Sequence, residues 1–107
     1  MRSIDRLTAH ADVSEKMIER HLSIGVAAMG GVSLKYSNPG MAGYPDRVCL
    51  LPGGVTLWVE LKSKGGQLRP LQRQRISKLL RMGHDVHVCD SREAVDNMLE
   101  RYKTKKQ

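Results

Sequence analysis

The stretch GYPDRVCLLPGGVTLWVELK, residues 43–62, decides the fold because it contains two apolar runs joined by a Pro-Gly-Gly turn. The runs, 46–51 and 55–62, have the length and the aliphatic content of buried strands. A three-residue loop between them predicts a hairpin in which Leu51 pairs with Val55. The sequence therefore predicts an antiparallel pair of strands at the centre of the domain.

In this register Asp46 lies opposite Glu60, with Cβ atoms about 5 Å apart. A two-residue loop would shift the register by one and turn Asp46 away, but the three-residue loop keeps the apolar pattern consistent. Alternation along the strand places Glu60 and Lys62 on one face with Trp58. An ordinary salt bridge could explain Glu60 and Lys62 alone. It would not explain a second acid facing the first, which is destabilising unless a cation lies between them.

Carboxylates that converge beside one lysine, without Cys or His ligands, favour a hard cation such as Mg²⁺ or Mn²⁺. A cation of this kind activates water and offsets charge on a phosphoryl group, and the lysine can orient the water or stabilise the developing charge. The pattern therefore predicts metal-assisted hydrolysis of a phosphodiester.

A third acid is expected from the first helix, which begins after an N-cap at Asp12 or Ser14 and runs to about residue 29. Its inward stripe consists of Ile18, Leu22, Val26 and Met29. At 100° per residue, Glu15 lies roughly 25° from the centre of that stripe and Glu19 roughly 65° from it. Glu15 could equally be the N3 residue of a capping box that starts at Asp12. Both roles stay open at this point.

The remaining segments predict an α/β fold with the element order α-β-β-β-α-β-α. Further strands are expected at 32–37 and 84–90, further helices at 70–82 and 92–103, and a loop at 38–45. The strand-helix-strand unit requires a parallel crossover, so the sheet is mixed and flanked by helices. A chain of 107 residues predicts one domain, with its core at about 12–103 and a basic tail at 103–107.

The charged-residue composition indicates which class of macromolecule the protein binds. Lys and Arg number 18 against 11 acidic residues, which gives a net charge of +7. This favours a polyanion, and nucleic acid rather than a membrane, because there is no basic amphipathic helix with bulky apolar residues. No signal peptide or membrane-length apolar stretch is visible, so we expect a cytoplasmic protein of a bacterial or phage-infected cell, with its two cysteines as core residues.

A run of basic residues follows the acidic pair, and no acid occurs between Glu60 and Asp85. Such a run is often only a solvated helix face, but this one begins beside the candidate metal site and predicts phosphate binding. The candidate DNA-binding residues are Lys64, Arg69, Arg73 and Arg75, with Lys35 and Arg47 extending the surface.

Pro45-Asp46 followed by Glu60-Leu61-Lys62 resembles the PD-(D/E)XK nuclease motif. The strings GYPDRVCLLPGG, WVELKSKGGQLRPLQ and GHDVHVCDS resemble, in this order, the virus-type replication-repair nuclease (VRR-NUC) family in its short, stand-alone phage and bacterial form. The likeness covers about residues 14–92 and implies a core similar to that of restriction endonucleases.

The resemblance implies roles for individual residues. By position, the metal ligands are Glu15, Asp46, Glu60 and the main-chain carbonyl of Leu61, and the catalytic residues are Asp46, Glu60, Lys62 and Gln72. Glu19 is the alternative to Glu15 on the first helix. Gln72 could instead cap the first turn of its own helix.

The expected function is a divalent-metal-dependent endonuclease for branched DNA, such as a Holliday junction resolvase that works as a homodimer. Paired cuts in a symmetric junction need two active sites, and a small core gains stability from an interface. Met17, Met98 and Tyr102 are the candidate interface residues. The alternative is a non-catalytic module that binds branched DNA on a nuclease fold.

Overall fold

The computed structural model describes residues 14–103, which form a four-stranded sheet and three helices. The elements are α1 (Glu15–Ala28), β1 (Val32–Lys35), β2 (Arg47–Leu51), β3 (Val55–Leu61), α2 (Pro70–Arg81), β4 (Asp85–Cys89) and α3 (Arg92–Lys103). This is the predicted order, and each element matches its expected bounds to within about two residues. Asp12 and the tail beyond Lys103 lie outside the described residues.

The sheet has the strand order β1-β2-β3-β4 and is mixed, as predicted. The strands β1, β2 and β3 are successively antiparallel, and β4 pairs with β3 in parallel. Since parallel neighbours require a crossover, α2 connects β3 to β4 across one face of the sheet.

The hairpin has the expected three-residue loop, and Leu51 pairs with Val55. Gly53 and Gly54 have φ angles of 87° and 77°, a left-handed conformation that glycine adopts without steric cost. Arg47 pairs with Val59 at the other end of the ladder. One residue further in the same register, Asp46 faces Glu60, as the sequence predicts.

The hydrophobic core lies between one face of the sheet and the pair α1 and α3. We call this the inner face. Its buried residues are Ile18, Leu22, Val26, Cys49, Leu51, Leu57, Val59, Leu61, Cys89, Val95, Met98 and Leu99. The opposite, outer face carries Trp58 and Glu60, because side chains alternate along β3. Helix α2 lies on the outer side, where its Gln72 contacts Glu60.

Helix α1 starts one residue after its N-cap, Ser14, whose Oγ accepts a hydrogen bond from the backbone N–H of Met17 at 3.3 Å. Glu15 is therefore the first residue of the helix and not the N3 residue of a capping box. The capping-box interpretation is wrong, so the position of Glu15 needs another explanation.

One of the three candidate interface residues belongs to the interior, and a second is partly buried. Met98 is 2% exposed within the core, and Tyr102 packs against that core. Only Met17 is substantially exposed. Helix α3 therefore uses Met98 to cover the sheet, which removes Met98 as a candidate for an interface, whereas Tyr102 stays partly accessible. In residues 14–103 no helix is long and apolar enough to cross a membrane.

Candidate active site

A cavity of about 470 Å³ opens where β2 begins and β3 ends. Its lining residues are Glu15, Ala42, Gly43, Tyr44, Asp46, Glu60, Lys62, Arg69, Leu71 and Gln72. These residues come from α1, the 36–46 connection, the end of β3 and the start of α2. The sheet and both helices thus bring together side chains that are far apart in sequence.

Glu60 is the most deeply buried acid of the cavity. It is 4% exposed, and burial together with the negative charge of Asp46 raises its pKa to about 7. Lys62 opposes this rise in pKa, since its Nζ lies 3.8 Å from Glu60 Oε2. The pKa of Asp46 is also raised, chiefly by burial. The two facing carboxyls therefore hold their negative charge at a cost in free energy.

Gln72 both caps its own helix and contacts the acidic pair. Its Oε1 accepts a hydrogen bond from the backbone N–H of Arg69 at 2.8 Å, which caps the first turn of α2. Its Nε2 donates to Glu60 Oε2 at 3.1 Å. The same side chain therefore secures the start of α2 and orients the carboxylate of Glu60 in the cavity.

The two candidate glutamates of α1 have separate environments. Glu15 lines the cavity, and its charge contributes to raising the pKa of Glu60. Glu19 accepts a hydrogen bond from Arg47 Nη1 at 2.8 Å and is not part of the cavity lining, although its charge contributes to raising the pKa of Asp46. This geometry favours Glu15 over Glu19 as the acid that α1 contributes to the cavity.

The residues of the cavity fit a hard divalent cation. Within residues 14–103, Asp46 Oδ1 is the buried side-chain oxygen or nitrogen atom that has no hydrogen-bond partner. A buried acceptor without a partner is costly, and a cation beside Asp46 and Glu60 would satisfy it and offset their repulsion. Oxygen donors without Cys or His are the set that Mg²⁺ and Mn²⁺ prefer.

The carboxylates do not form a closed metal site as they stand. No three His, Cys, Asp or Glu side chains in the described part of the chain lie close enough together to hold one ion. Asp46 and Glu60, which face each other across the hairpin, are therefore the direct ligands that we would assign. Leu61, whose carbonyl was expected to be a further ligand, is the last residue of β3.

The sequence family is decided by a profile of the VRR-NUC domain, which matches residues 14–93. The chain belongs to the VRR-NUC family. A protein of Acyrthosiphon pisum secondary endosymbiont phage 1, described as "Putative nuclease p44", is 38% identical over 81 residues, which are 76% of this chain and 87% of the phage protein. A solved structure described as "VRR_NUC domain" superposes with a TM-score of 0.77 and 30% sequence identity, covering 82% of this chain and 96% of the other. The fold and the resemblance are both confirmed, and the chain is a nuclease domain by family.

Arg47 does not extend the DNA surface of this VRR-NUC domain. It is 9% exposed and lies on the inner face beneath α1, because alternation turns it away from Asp46. Its guanidinium donates to Glu19, to Ser23 Oγ at 3.3 Å, and to Ser33 Oγ at 3.0 Å. Arg47 therefore ties α1 to β1 and β2, and we remove it from the candidate DNA-binding residues.

Arg75 holds one wall of the cavity in place. Its Nε donates to the carbonyl of Ala42 at 2.9 Å, and its guanidinium lies 5.0 Å from the centre of the Tyr44 ring. Gly43, between these two residues, has a φ of 96°, and a Cβ there would lie 2.8 Å from Leu71 Cγ. The connection before Asp46 is thus packed closely on α2, and much of the bonding capacity of Arg75 is used within the protein.

The other candidate DNA-binding residues occupy different positions. Arg69 lines the cavity. Lys35 and Lys64 are exposed and lie outside the cavity lining, although the charge of Lys35 reaches Asp46 and opposes the rise in its pKa. Arg73 is exposed on α2. The structure therefore brings only Arg69 of this group into the cavity itself.

Sequence reasoning missed the wall formed by Tyr44 and Leu71. The signal for Tyr44 was its place two positions before Asp46, in the segment that leads into the carboxylate. Leu71 carried no such signal, since one exposed leucine on a helix is unremarkable in sequence.

Proposed function

We propose that this VRR-NUC domain is an endonuclease that uses Mg²⁺ or Mn²⁺ to hydrolyse phosphodiester bonds in branched DNA. The observation that carries the proposal is the buried Asp46 Oδ1, which has no hydrogen-bond partner within residues 14–103 and faces Glu60 in an open cavity. A module that only binds DNA has no use for two costly carboxylates beside its phosphate contacts.

We assign each residue of the cavity a separate role in hydrolysis. Asp46 and Glu60 would hold the cation, and the carbonyl of Leu61 would be a further oxygen donor, while Glu15 would add negative charge to the cavity. When bound, the cation supplies Lewis-acid activation and offsets charge on the phosphoryl group. Gln72 keeps Glu60 in its orientation through the 3.1 Å hydrogen bond.

Two cationic groups complete the proposed mechanism. Lys62 lies 3.8 Å from Glu60, where its ammonium can donate to an attacking water or to a phosphoryl oxygen. Arg69 lines the same cavity and can pair with a non-bridging phosphate oxygen. Both groups place positive charge where negative charge increases during the reaction.

A direct assay tests the activity. Labelled four-way junction, flap and plain duplex are incubated with the protein in Mn²⁺ or in EDTA. We expect Mn²⁺-dependent cleavage of the branched forms, abolished in Asp46→Asn, while DNA binding by that variant is largely retained. Glu100→Gln is the matched control, because it removes one exposed carboxylate that is not part of the cavity lining. Binding without cleavage in every metal tested would reject the proposal.

We propose further that the working unit is a homodimer that resolves four-way junctions in the cytoplasm. A symmetric junction requires two cuts, and each chain has one such cavity among its described residues. Val32, Leu34 and Leu50 are each more than 40% exposed on the outer face of the sheet, which makes them better interface candidates than Met98. Sedimentation at micromolar concentration tests this, and Leu34→Glu should shift the mass toward a monomer. A monomer that nicks a cruciform plasmid without linearising it would exclude the dimeric resolvase.

A further inference from the structure

A second cavity, of about 450 Å³, lies along the solvent-facing side of α2. We call it the outer groove. It is lined by Arg73, Gln74, Arg75, Ser77, Lys78 and Arg81. None of these residues lines the active-site cavity. It therefore presents Arg73, Lys78 and Arg81 at a place that the proposed chemistry does not use, beside Arg75, which holds the wall of the active-site cavity.

The outer groove follows from the periodicity of α2. The buried residues of this helix are Gln72, Ile76 and Leu79. At 100° per residue, Ser77, Lys78 and Arg81 lie within about 55° of the direction opposite the buried side, and Arg73 lies at the flank, about 90° from it. Arg73 and Arg81 are eight residues apart, or about 12 Å along the axis. The groove is thus a row of long cationic side chains above a helix face that makes no contact with the core.

The charge of the outer groove is not neutralised within the described residues. None of the ion pairs in residues 14–103 includes Arg73, Lys78 or Arg81. Arg73 donates to the carbonyl of Leu68, and Arg81 donates to Ser77 Oγ at 3.0 Å. Both contacts use neutral acceptors, so they orient the guanidinium groups and leave the positive charge available.

Helix stability does not explain this arrangement. Lys78 and Arg81 lie in the last turn of α2, where the helix dipole favours cations. Arg73 lies near the start, where cations are unfavourable, and the first turn has no acidic residue. Lys78 and Arg81 are also three residues apart on one face, where like charges repel. An anionic ligand would account for Arg73 and relieve the repulsion.

We infer that the outer groove binds backbone phosphates of the duplex that flanks the cleaved bond. The inference rests on the proposed function only in taking DNA as the ligand. Gln72 enters the active site, and the adjacent Arg73 begins the groove, so one helix joins the two sites. From Arg69 to Arg81 the helix extends about 18 Å, which matches roughly five base pairs at 3.4 Å each.

The chemistry of the lining favours a duplex backbone over other polyanions. No aromatic side chain lines the groove, so unpaired bases have no ring on which to stack. Guanidinium groups bind phosphate through paired hydrogen bonds, and a row of them reads backbone geometry without reading sequence.

The test measures DNA binding in EDTA, so it does not depend on cleavage. The variant is Lys78→Gln with Arg81→Gln, and the matched control is Arg20→Gln with Arg92→Gln, which removes two exposed cations from α1 and α3. Fluorescence anisotropy gives the affinity for a labelled duplex between 50 and 300 mM salt. Melting temperatures of both variants confirm that they fold.

We expect the groove variant to lower the slope of log affinity against log salt by about 1.8, or 0.9 for each lost phosphate contact. At 0.1 M salt this corresponds to an affinity loss of up to roughly 60-fold. The control should change the slope much less. Equal changes in both variants would indicate a general effect of net charge and would overturn the inference.

The unmodified protein provides an independent measurement. Its affinity should rise as the duplex arm of a branched substrate is lengthened to about five base pairs, and then level off. A DNA affinity that does not depend on the length of the duplex arm would overturn the inference. An active nuclease with an unaltered salt slope would reject the outer groove alone, whereas a protein that binds through the groove but never cleaves would reject the proposed function alone.

Discussion

Replacing Arg47 by Met tests whether this residue belongs to the interior or to the DNA surface. The side chain of Arg47 is 10% exposed, and that of its partner Glu19 is 29% exposed. The substitution removes a charge-assisted hydrogen bond of 2.8 Å and the guanidinium donor to the hydroxyls of Ser23 and Ser33, of which Ser33 keeps only a weak contact with the Cys49 thiol. Met keeps an apolar chain of similar length, so the loss is mainly one of polar contacts.

The magnitude follows from those contacts. The charged hydrogen bond contributes about 1.5–3 kcal/mol, and each of the two hydroxyls about 0.5–1.5 kcal/mol. Packing of Met and partial hydration of Glu19 offset some of this, so we expect a loss of about 3 kcal/mol in the free energy of unfolding. For a domain of this size that lowers the melting temperature by roughly 12–20 °C.

Urea denaturation of Arg47→Met, of Glu19→Gln and of the double variant measures the effect and the coupling. We expect a coupling free energy of about 1–2 kcal/mol, because the two groups are in direct contact. DNA binding, measured at a temperature where all variants are folded, should keep its salt slope. A loss of stability below 1 kcal/mol together with a flatter salt slope would refute the assignment, because it would show that the guanidinium reaches phosphate.

Three further predictions concern the active-site cavity. Mn²⁺ should raise the melting temperature by relieving repulsion between facing carboxyls, and Asp46→Asn should reduce that shift by at least half; an undiminished shift would contradict the metal assignment. In EDTA, the pKa of Glu60 is about 7 in the folded protein against 4.5 in the unfolded chain, so the folded state binds more protons between these values. Stability should therefore fall by ~3 kcal/mol as the pH rises from 4.5 to 8, and Glu60→Gln should remove that dependence, whereas parallel curves would argue against it. Arg75→Gln should increase hydrogen exchange at Gly43 and Tyr44 and weaken the Mn²⁺-induced shift in melting temperature. Arg75→Lys should restore only part of the protection, because an ammonium lacks the planar Nε donor. Unchanged exchange would show that this wall of the cavity does not depend on Arg75.

Turn chemistry made the central hairpin predictable. Gly53 and Gly54 accept left-handed φ angles, which allows a three-residue loop and pairs Leu51 with Val55. Once that pair is set, the period of two places Asp46 and Glu60 opposite each other. Local chain geometry alone therefore predicted which two acids meet.

The alternation of side chains along β2 also predicts that Arg47 is buried, although its charge suggested a position on the DNA surface. Arg47 shares the inner face with Cys49 and Leu51, both buried, so its side chain has to enter the space beneath α1. The error came from treating a basic residue beside Asp46 as a surface residue. The position of Arg47 in the strand decided its burial, because a side chain on the inner face of the sheet is covered by α1 whatever its residue type.

The choice between Glu15 and Glu19, and between the roles of Arg73 and Arg75, required the tertiary structure. Glu15 and Glu19 are one helical turn apart, and only the position of Arg47 beneath α1 shows which of them is already paired. Arg75 contacts the Ala42 carbonyl, 33 residues away in sequence, while Arg73 faces solvent. Periodicity within one element determines which face a side chain occupies. It cannot determine which distant segment packs against that face, because this depends on how all the elements share one core.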